Sequence, residues 1–255
     1  MGVYMKKLKN MDIVYVLKDA AYNEELRYSL RSVDRNFPHR KVFFYGAKPT
    51  GLKADKIVPM PQEGARKWDR VRGMLKAIAE NDEITEDFVL FNDDFFVIDK
   101  VKELPYVDHG SLSDLCVGIE IENNFKPTPY TTELKKTVKA IRDKHWNIEG
   151  REDNFELHIP MMFNRKLLKE VIEMFPDNRG TRSLYANYLL SRSDEGDDGT
   201  LWTWADKDVK IWELNEPVLI EPDLPYISTD DESFENGVVG DYIRAMFPKK
   251  SRFEK

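Results

Sequence analysis

What most limits the folds open to this chain is a strand, helix, strand unit close to its start. Met11 to Leu17 is a short apolar run rich in Ile and Val, the composition of a strand buried on both faces of a parallel sheet. Asn23 to Val33 then sets Leu26, Leu30 and Val33 at helical spacing behind Asn23 as the N-cap, and the segment stops before Phe37-Pro38. With Lys41 to Tyr45 as the next strand, roughly 35 residues make a βαβ unit. Ile57 to Pro59 is a short third strand. Ala65 to Asn81 is a helix with Trp68, Val71, Leu75 and Ile78 on one face, and Phe88 to Phe91 is a fully apolar strand. The first 100 or so residues therefore read as alternating β and α elements.

Beyond that point the pattern loosens. The expected elements are a strand over Leu115 to Ile121, a polar helix over Thr132 to Lys144 and a strand over Phe155 to Ile159. A helix over Asn164 to Phe175 is stopped by Pro176, and a short helix covers Ser183 to Ser191. Two short strands fall within Trp202 to Ile220 and a terminal helix over Gly240 to Phe247, while the acidic stretch 193–200 reads as a solvated loop without EF-hand spacing. With no internal repeat and no linker, one domain with a C-terminal elaboration is expected.

The 255 residues carry 39 Lys+Arg against 46 Asp+Glu, a net charge of -7, which argues against sequence-independent binding to nucleic acid or anionic membrane. The single cysteine, Cys116, excludes an intramolecular disulfide and a multi-thiolate zinc site, and its apolar flanks give it a core context. No stretch reaches the roughly 20 apolar residues of a membrane span. The opening MGVYMKKLKN leads into a strand without an apolar signal region, so a soluble, cytoplasmic protein is expected. GAKPTGLK at residues 46 to 53 misses the P-loop lysine and reads as a turn. Neither GxGxxG after the first strand, nor HExxH, nor a GxSxG elbow is present.

Three groups of residues carry chemistry. Asn92, Asp93 and Asp94 leave the buried strand at its carboxyl end, where open α/β sheets bind ligands. Paired carboxylates there suit magnesium or manganese bridging to nucleotide phosphates, or else form a solvated turn in which Asp93 caps the next segment. Strand alternation puts Glu156 and His158 on one face, suited to proton transfer or metal ligation, or simply the polar face of an edge strand. Arg66, Lys67, Arg70 and Arg72, with Arg179 and Arg182 further on, either grip a diphosphate or form solvated helix faces.

The segments DIVYVLKDAAYNEELRYSLRSV (12–33), FVLFNDDFFV (88–97) and HIPMMFNRKLLKEVIEMFPDNRGTRS (158–183), with the looser YISTDDESFENG and FPKKSRFE, occur in one order. Together they resemble the Stealth family of sugar-phosphate transferases, related to the GT-A nucleotide-sugar glycosyltransferases, over about half the chain. The chain departs from that pattern in a shortened first block and in lacking a second histidine after HIP. The resemblance implies a single GT-A-like, Rossmann-like α/β domain over 1–255, a mixed sheet flanked by helices. About 1–100 would be the nucleotide-sugar-binding half and 101–255 the acceptor and catalytic half. It implies Asp93 and Asp94 at the metal and donor phosphates, His158 as proton-transfer group or further metal ligand, and Arg182 on the phosphate. Asp12 and Tyr15 become candidates for nucleobase contact, Arg66 and Arg70 for donor binding, and Glu156 for a catalytic carboxylate, while Arg27 is structural. The expected activity is magnesium- or manganese-dependent transfer of a sugar from a nucleotide sugar, a uridine diphosphate sugar, to a carbohydrate or other hydroxyl. The rivals are transfer of sugar 1-phosphate, glycosylation of a hydroxylated DNA base, and a sugar-nucleotide-binding module without turnover.

Overall fold

In the computed structural model, which describes residues 8–62, 67–146, 150–192, 202–205, 209–211, 214–215 and 224–255, strand β1 (Asp12–Val16) is buried at every position. A strand without a wet face needs cover on both sides. Strands β2 (Val42–Gly46) and β4 (Asp87–Phe91) flank β1 in parallel, and β3 (Lys56–Pro59) runs parallel to β2 at the edge. On the far side β7 (Met161–Asn164) runs antiparallel to β4, completing a mixed sheet of order β3-β2-β1-β4-β7. Helix α1 (Glu24–Asn36) buries Leu26, Leu30 and Val33 completely, and α2 (Lys67–Glu80) turns Met74, Leu75, Ile78 and Ala79 inward. The expected α/β class, a mixed sheet flanked by helices, is what the chain forms.

Two compact units divide the chain. The first comprises Met1–Leu104, His158–Asn164 and Val209–Lys255, and so contains the large sheet. It also holds a small sheet in which β10 (Tyr226–Thr229) pairs antiparallel with β5 (Phe95–Val97) and parallel with β9 (Lys210–Ile211). Helices α7 (Asp231–Asn236) and α8 (Val238–Met246) follow, and Phe96, Ile227, Phe234, Val239, Ile243 and Phe247 form their shared core.

The second unit, Pro105–Leu157 with Arg165–Asp208, pairs β6 (Tyr106–Asp108) in parallel with β8 (Trp202–Trp204). Its helices are α3 (Leu112–Glu122), α4 (Pro129–Asp143), α5 (Arg165–Met174) and α6 (Thr181–Arg192). Leu112, Cys116, Leu134, Ile141, Val171 and Leu184 are among the residues of their core.

Two expected strands are absent. Leu115 to Ile121 lies inside α3, because Ser111 caps that helix by accepting from the amides of Ser113 and Asp114, and Leu112 and Cys116 then fall one turn apart on the buried face. A short apolar run has no period of its own to separate strand from buried helix. Phe155 to Ile159 makes no ladder either. Side chains replace it, with the Phe155 amide donating to Ser183 Oγ and the Glu156 amide to Asn154 Oδ1. The strand lies just beyond, at β7, so α5 starts at Arg165. Residues 193–200, the start of the second expected helix at 65–66 and most of 206–223 lie outside the described residues.

Candidate active site

Within the first unit, β4 ends at Phe91 and the chain turns through Asn92, Asp93 and Asp94 into β5, with all three residues half-buried. Asn23 ties this turn to α1 with both ends of its amide. Its Oδ1 accepts from the Leu26 amide at 2.8 Å, the N-cap bond, and its Nδ2 donates to Asp93 Oδ2 at 2.6 Å. The small sheet holds Asp94. Ser228 Oγ donates to Asp94 Oδ2 at 3.3 Å, Lys210 Nζ lies 3.4 Å from the same oxygen, and the Thr229 amide donates to the Asp94 carbonyl. The other oxygen, Asp94 Oδ1, is buried with no hydrogen-bond partner among the described residues.

The carboxylates here press on one another. Burial, reinforced by Asp94, pushes Asp93 up to about 6, against the bond from Asn23. Glu25, in the first turn of α1, is pushed up to about 8 by burial, with Asp93, Asp94 and Asp231 adding to the effect and the 2.8 Å bond from Thr229 Oγ1 opposing it. An orphaned carboxylate oxygen among mutually repelling acids fits a divalent cation, which prefers oxygen ligands. Asp93 and Asp94 would hold it. The fuller expected set is not assembled, since among the described residues no three His, Cys, Asp or Glu side chains come together as a metal shell. His158 therefore does not join the two aspartates as a third ligand.

His158 stands three residues before β7, at a bend that also includes Ile159. Leu90 is registered against Met161 in the antiparallel β4–β7 pair, so β7 begins near the carboxyl end of β4. His158 is half-buried there. In the second unit, Glu156 and Arg182 serve the start of α6. Glu156 Oε1 accepts from the Ser183 amide at 3.0 Å, a carboxylate on a helix N-terminus, and Arg182 Nη1 donates to the Leu157 carbonyl at 3.1 Å. Glu156 and His158 thus owe nothing to strand alternation, and Glu156 has an anchoring contact. Arg179 pairs with Glu133 at 3.7 Å.

Two expected nucleobase contacts are core groups. Tyr15 is fully buried, its hydroxyl 2.9 Å from Ser29 Oγ and its pKa raised by burial. Asp12 opens β1 opposite Phe88, the end of the sheet away from the acidic turn. It is fully buried, receives Arg40 at 2.7 and 2.6 Å, and accepts from the Thr85 amide at 2.9 Å. Arg40→Ala should destabilise the fold by about 2 to 3 kcal/mol, less than a fully buried pair because Arg40 is 40% exposed. Urea denaturation measures that, and donor affinity of the folded variant should not change; weakened donor binding at unchanged stability would return Asp12 to the site. Arg70 lies half-exposed on α2, and Arg66 is outside the described residues.

Sequence reasoning missed Glu25, Lys210 and Ser228, and saw Asn23 only as a cap. The acidic repeat in TDDES was the one available signal that charge converges here. Among the described residues no helix is long and apolar enough to cross a membrane. No family model and no curated protein matches this chain. Among solved structures it is similar to the glycosyltransferase GlyE of Streptococcus pneumoniae TIGR4, at 12% identity and a TM-score of 0.39 over 77% of this chain and 46% of that one. It is similar also to the apo form of GlyE, at 11% identity and a TM-score of 0.38 over the same shares. The chain thus spans under half the length of the glycosyltransferase it is similar to.

Proposed function

We propose that this protein is a metal-dependent, GT-A-like glycosyltransferase that moves a sugar from a nucleotide-sugar donor, a uridine diphosphate sugar, to a hydroxyl of a carbohydrate or related acceptor. The observation that carries this reading is the Asp93–Asp94 turn at the carboxyl end of β4, with Asp94 Oδ1 buried and unpartnered. Carboxyl ends of parallel strands are where such sheets bind nucleotides.

A magnesium or manganese ion bound at Asp93 and Asp94 would neutralise charge on the donor's diphosphate. This chain's own groups do the rest. Asn23 fixes the rotamer of Asp93, and Ser228 orients Asp94, so the pair is preorganised. His158, just before β7, takes the proton from the acceptor hydroxyl. Glu156, whose carboxylate accepts from the Ser183 amide at the start of α6, is an anchoring group and not the base.

The raised carboxyls give a test through pH. A carboxyl whose pKa is raised on folding favours the fold when protonated, so that stability is full below its unfolded value and is lost as pH rises through about 6 for Asp93 and about 8 for Glu25. Metal-free protein should melt at lower temperature at about pH 8.5 than at about pH 5, and manganese should restore more at the higher pH. Glu25→Gln should flatten the metal-free profile. Equal or absent manganese gain at both pH values would contradict a cation at this turn.

A further inference from the structure

Away from the acidic turn, the first unit has a cavity of about 500 Å³ between α1 and the chain that follows α8, a size typical of small-molecule sites. Its lining includes the cations Arg31, Arg35, Lys249 and Lys250 and a single carboxylate, Asp34. The sign is opposite to that of the chain as a whole, whose net charge is -7.

The two inner charges are already matched. Arg31 meets Glu254 through two bonds of 2.8 Å, and Asp34 is engaged by Arg252, whose Nε lies 3.3 Å away and whose amide donates at 3.1 Å. Three cations are left over. Arg35 has no carboxylate partner: its Nη1 donates to the Met246 carbonyl at 3.0 Å, at the end of α8, and its guanidinium lies 5.7 Å from the centre of the Phe247 ring. Lys249 and Lys250 are exposed and make no ion pair among the described residues. Arg31 and Arg35 stand four residues apart on α1, a spacing at which like charges repel. A lone surface cation in water attracts an anion weakly, but a concave wall of one sign concentrates the field.

We propose that this cavity binds a small phosphate monoester, with Arg35, Lys249 and Lys250 on the phosphate and Met246 and Pro248 against its organic body. A phosphate monoester carries nearly two negative charges on three strong acceptor oxygens, which suits three cations without counter-charges. The cavity is far larger than inorganic phosphate, so the group would arrive on a body that fills the remainder, and a concave site takes a compact solute where a bilayer offers a flat face. No metal is involved, and the inference stands whether or not the acidic turn binds a sugar donor.

The test is titration calorimetry in chelator, which silences a metal-dependent donor site, with glucose 6-phosphate, inorganic phosphate and glucose as probes. Wild type should bind glucose 6-phosphate and, more weakly, inorganic phosphate, both less tightly as salt rises, and should not bind glucose. The double variant Lys249→Glu, Lys250→Glu changes only exposed side chains, so it should keep the wild-type melting temperature and lose about a hundredfold in phosphate affinity, about tenfold for each contact to a charged group. Arg35→Gln should lose about tenfold. Wild type that binds neither phosphate, or a double variant that binds as wild type does, overturns the proposal. Binding to phosphatidic acid vesicles without binding to either soluble phosphate overturns it as well.

Discussion

Alanine in place of Asp94 is expected to lower donor turnover about a thousandfold, the scale of losing a preorganised group where charge develops. Stability should change little, because two effects oppose. The substitution removes repulsion with Asp93 and Glu25, both pushed up in part by Asp94, and it also leaves the nearly buried Lys210 without that counter-charge. Turnover and melting temperature should therefore separate. Asp94→Asn keeps the shape of the side chain and loses the charge, so it should lose nearly as much activity. A folded Asp94→Ala protein with wild-type turnover would remove the acidic turn from the mechanism.

The second large effect falls on stability. Glu254, 1% exposed, receives both arms of Arg31, an ion-pair contact from Arg27 at 3.4 Å and the Ser251 amide at 2.9 Å. Burial alone would raise its carboxyl, but the Arg31 bonds and the Ser251 amide hold it below the usual range. Glu254→Ala strands Arg31, itself 9% exposed, at an expected loss of about 3 kcal/mol, or about 6 to 12 °C in melting temperature for a chain of this size. Because the Glu254 pKa is lowered on folding, its contribution is present above about pH 4.5 and disappears on acidification, so wild type and variant should converge at low pH. Activity per folded molecule should persist, since Arg31 lies eight residues, about 12 Å, along α1 from Asn23. A loss under about 1 kcal/mol in urea would show that the C-terminal segment does not anchor α1.

Much of the first unit is legible in the sequence because its signals are local. Asn23 before a 3.6-residue apolar period gives α1, and the uninterrupted apolar runs of β1 and β4 require burial on both faces. The same locality places Asn92, Asp93 and Asp94 at a strand end. What fails is whatever depends on partners remote in the chain. The acidic turn and its surroundings draw Glu25, Asp93, Asp94, Lys210, Ser228 and Asp231 from four stretches of sequence, and no spacing rule connects them. Asp12 and Tyr15 are misread for a related reason. Composition marks a strand as buried but does not say which of its polar groups already has a partner inside, and Arg40 and Ser29 are those partners. Leu115 to Ile121 shows the third kind of failure, an apolar run whose helical state is decided by Ser111 and by packing on α4.

The most direct test of the proposed activity is to incubate the protein with a panel of nucleotide sugars and magnesium or manganese, without acceptor, and to identify the nucleotide freed by slow hydrolysis. Release of a nucleoside diphosphate, dependent on the metal and lost in Asp94→Ala, is the expected result. Release of a nucleoside monophosphate would instead assign transfer of sugar 1-phosphate, and no release from any donor, with or without acceptor sugars, would contradict a transferase altogether.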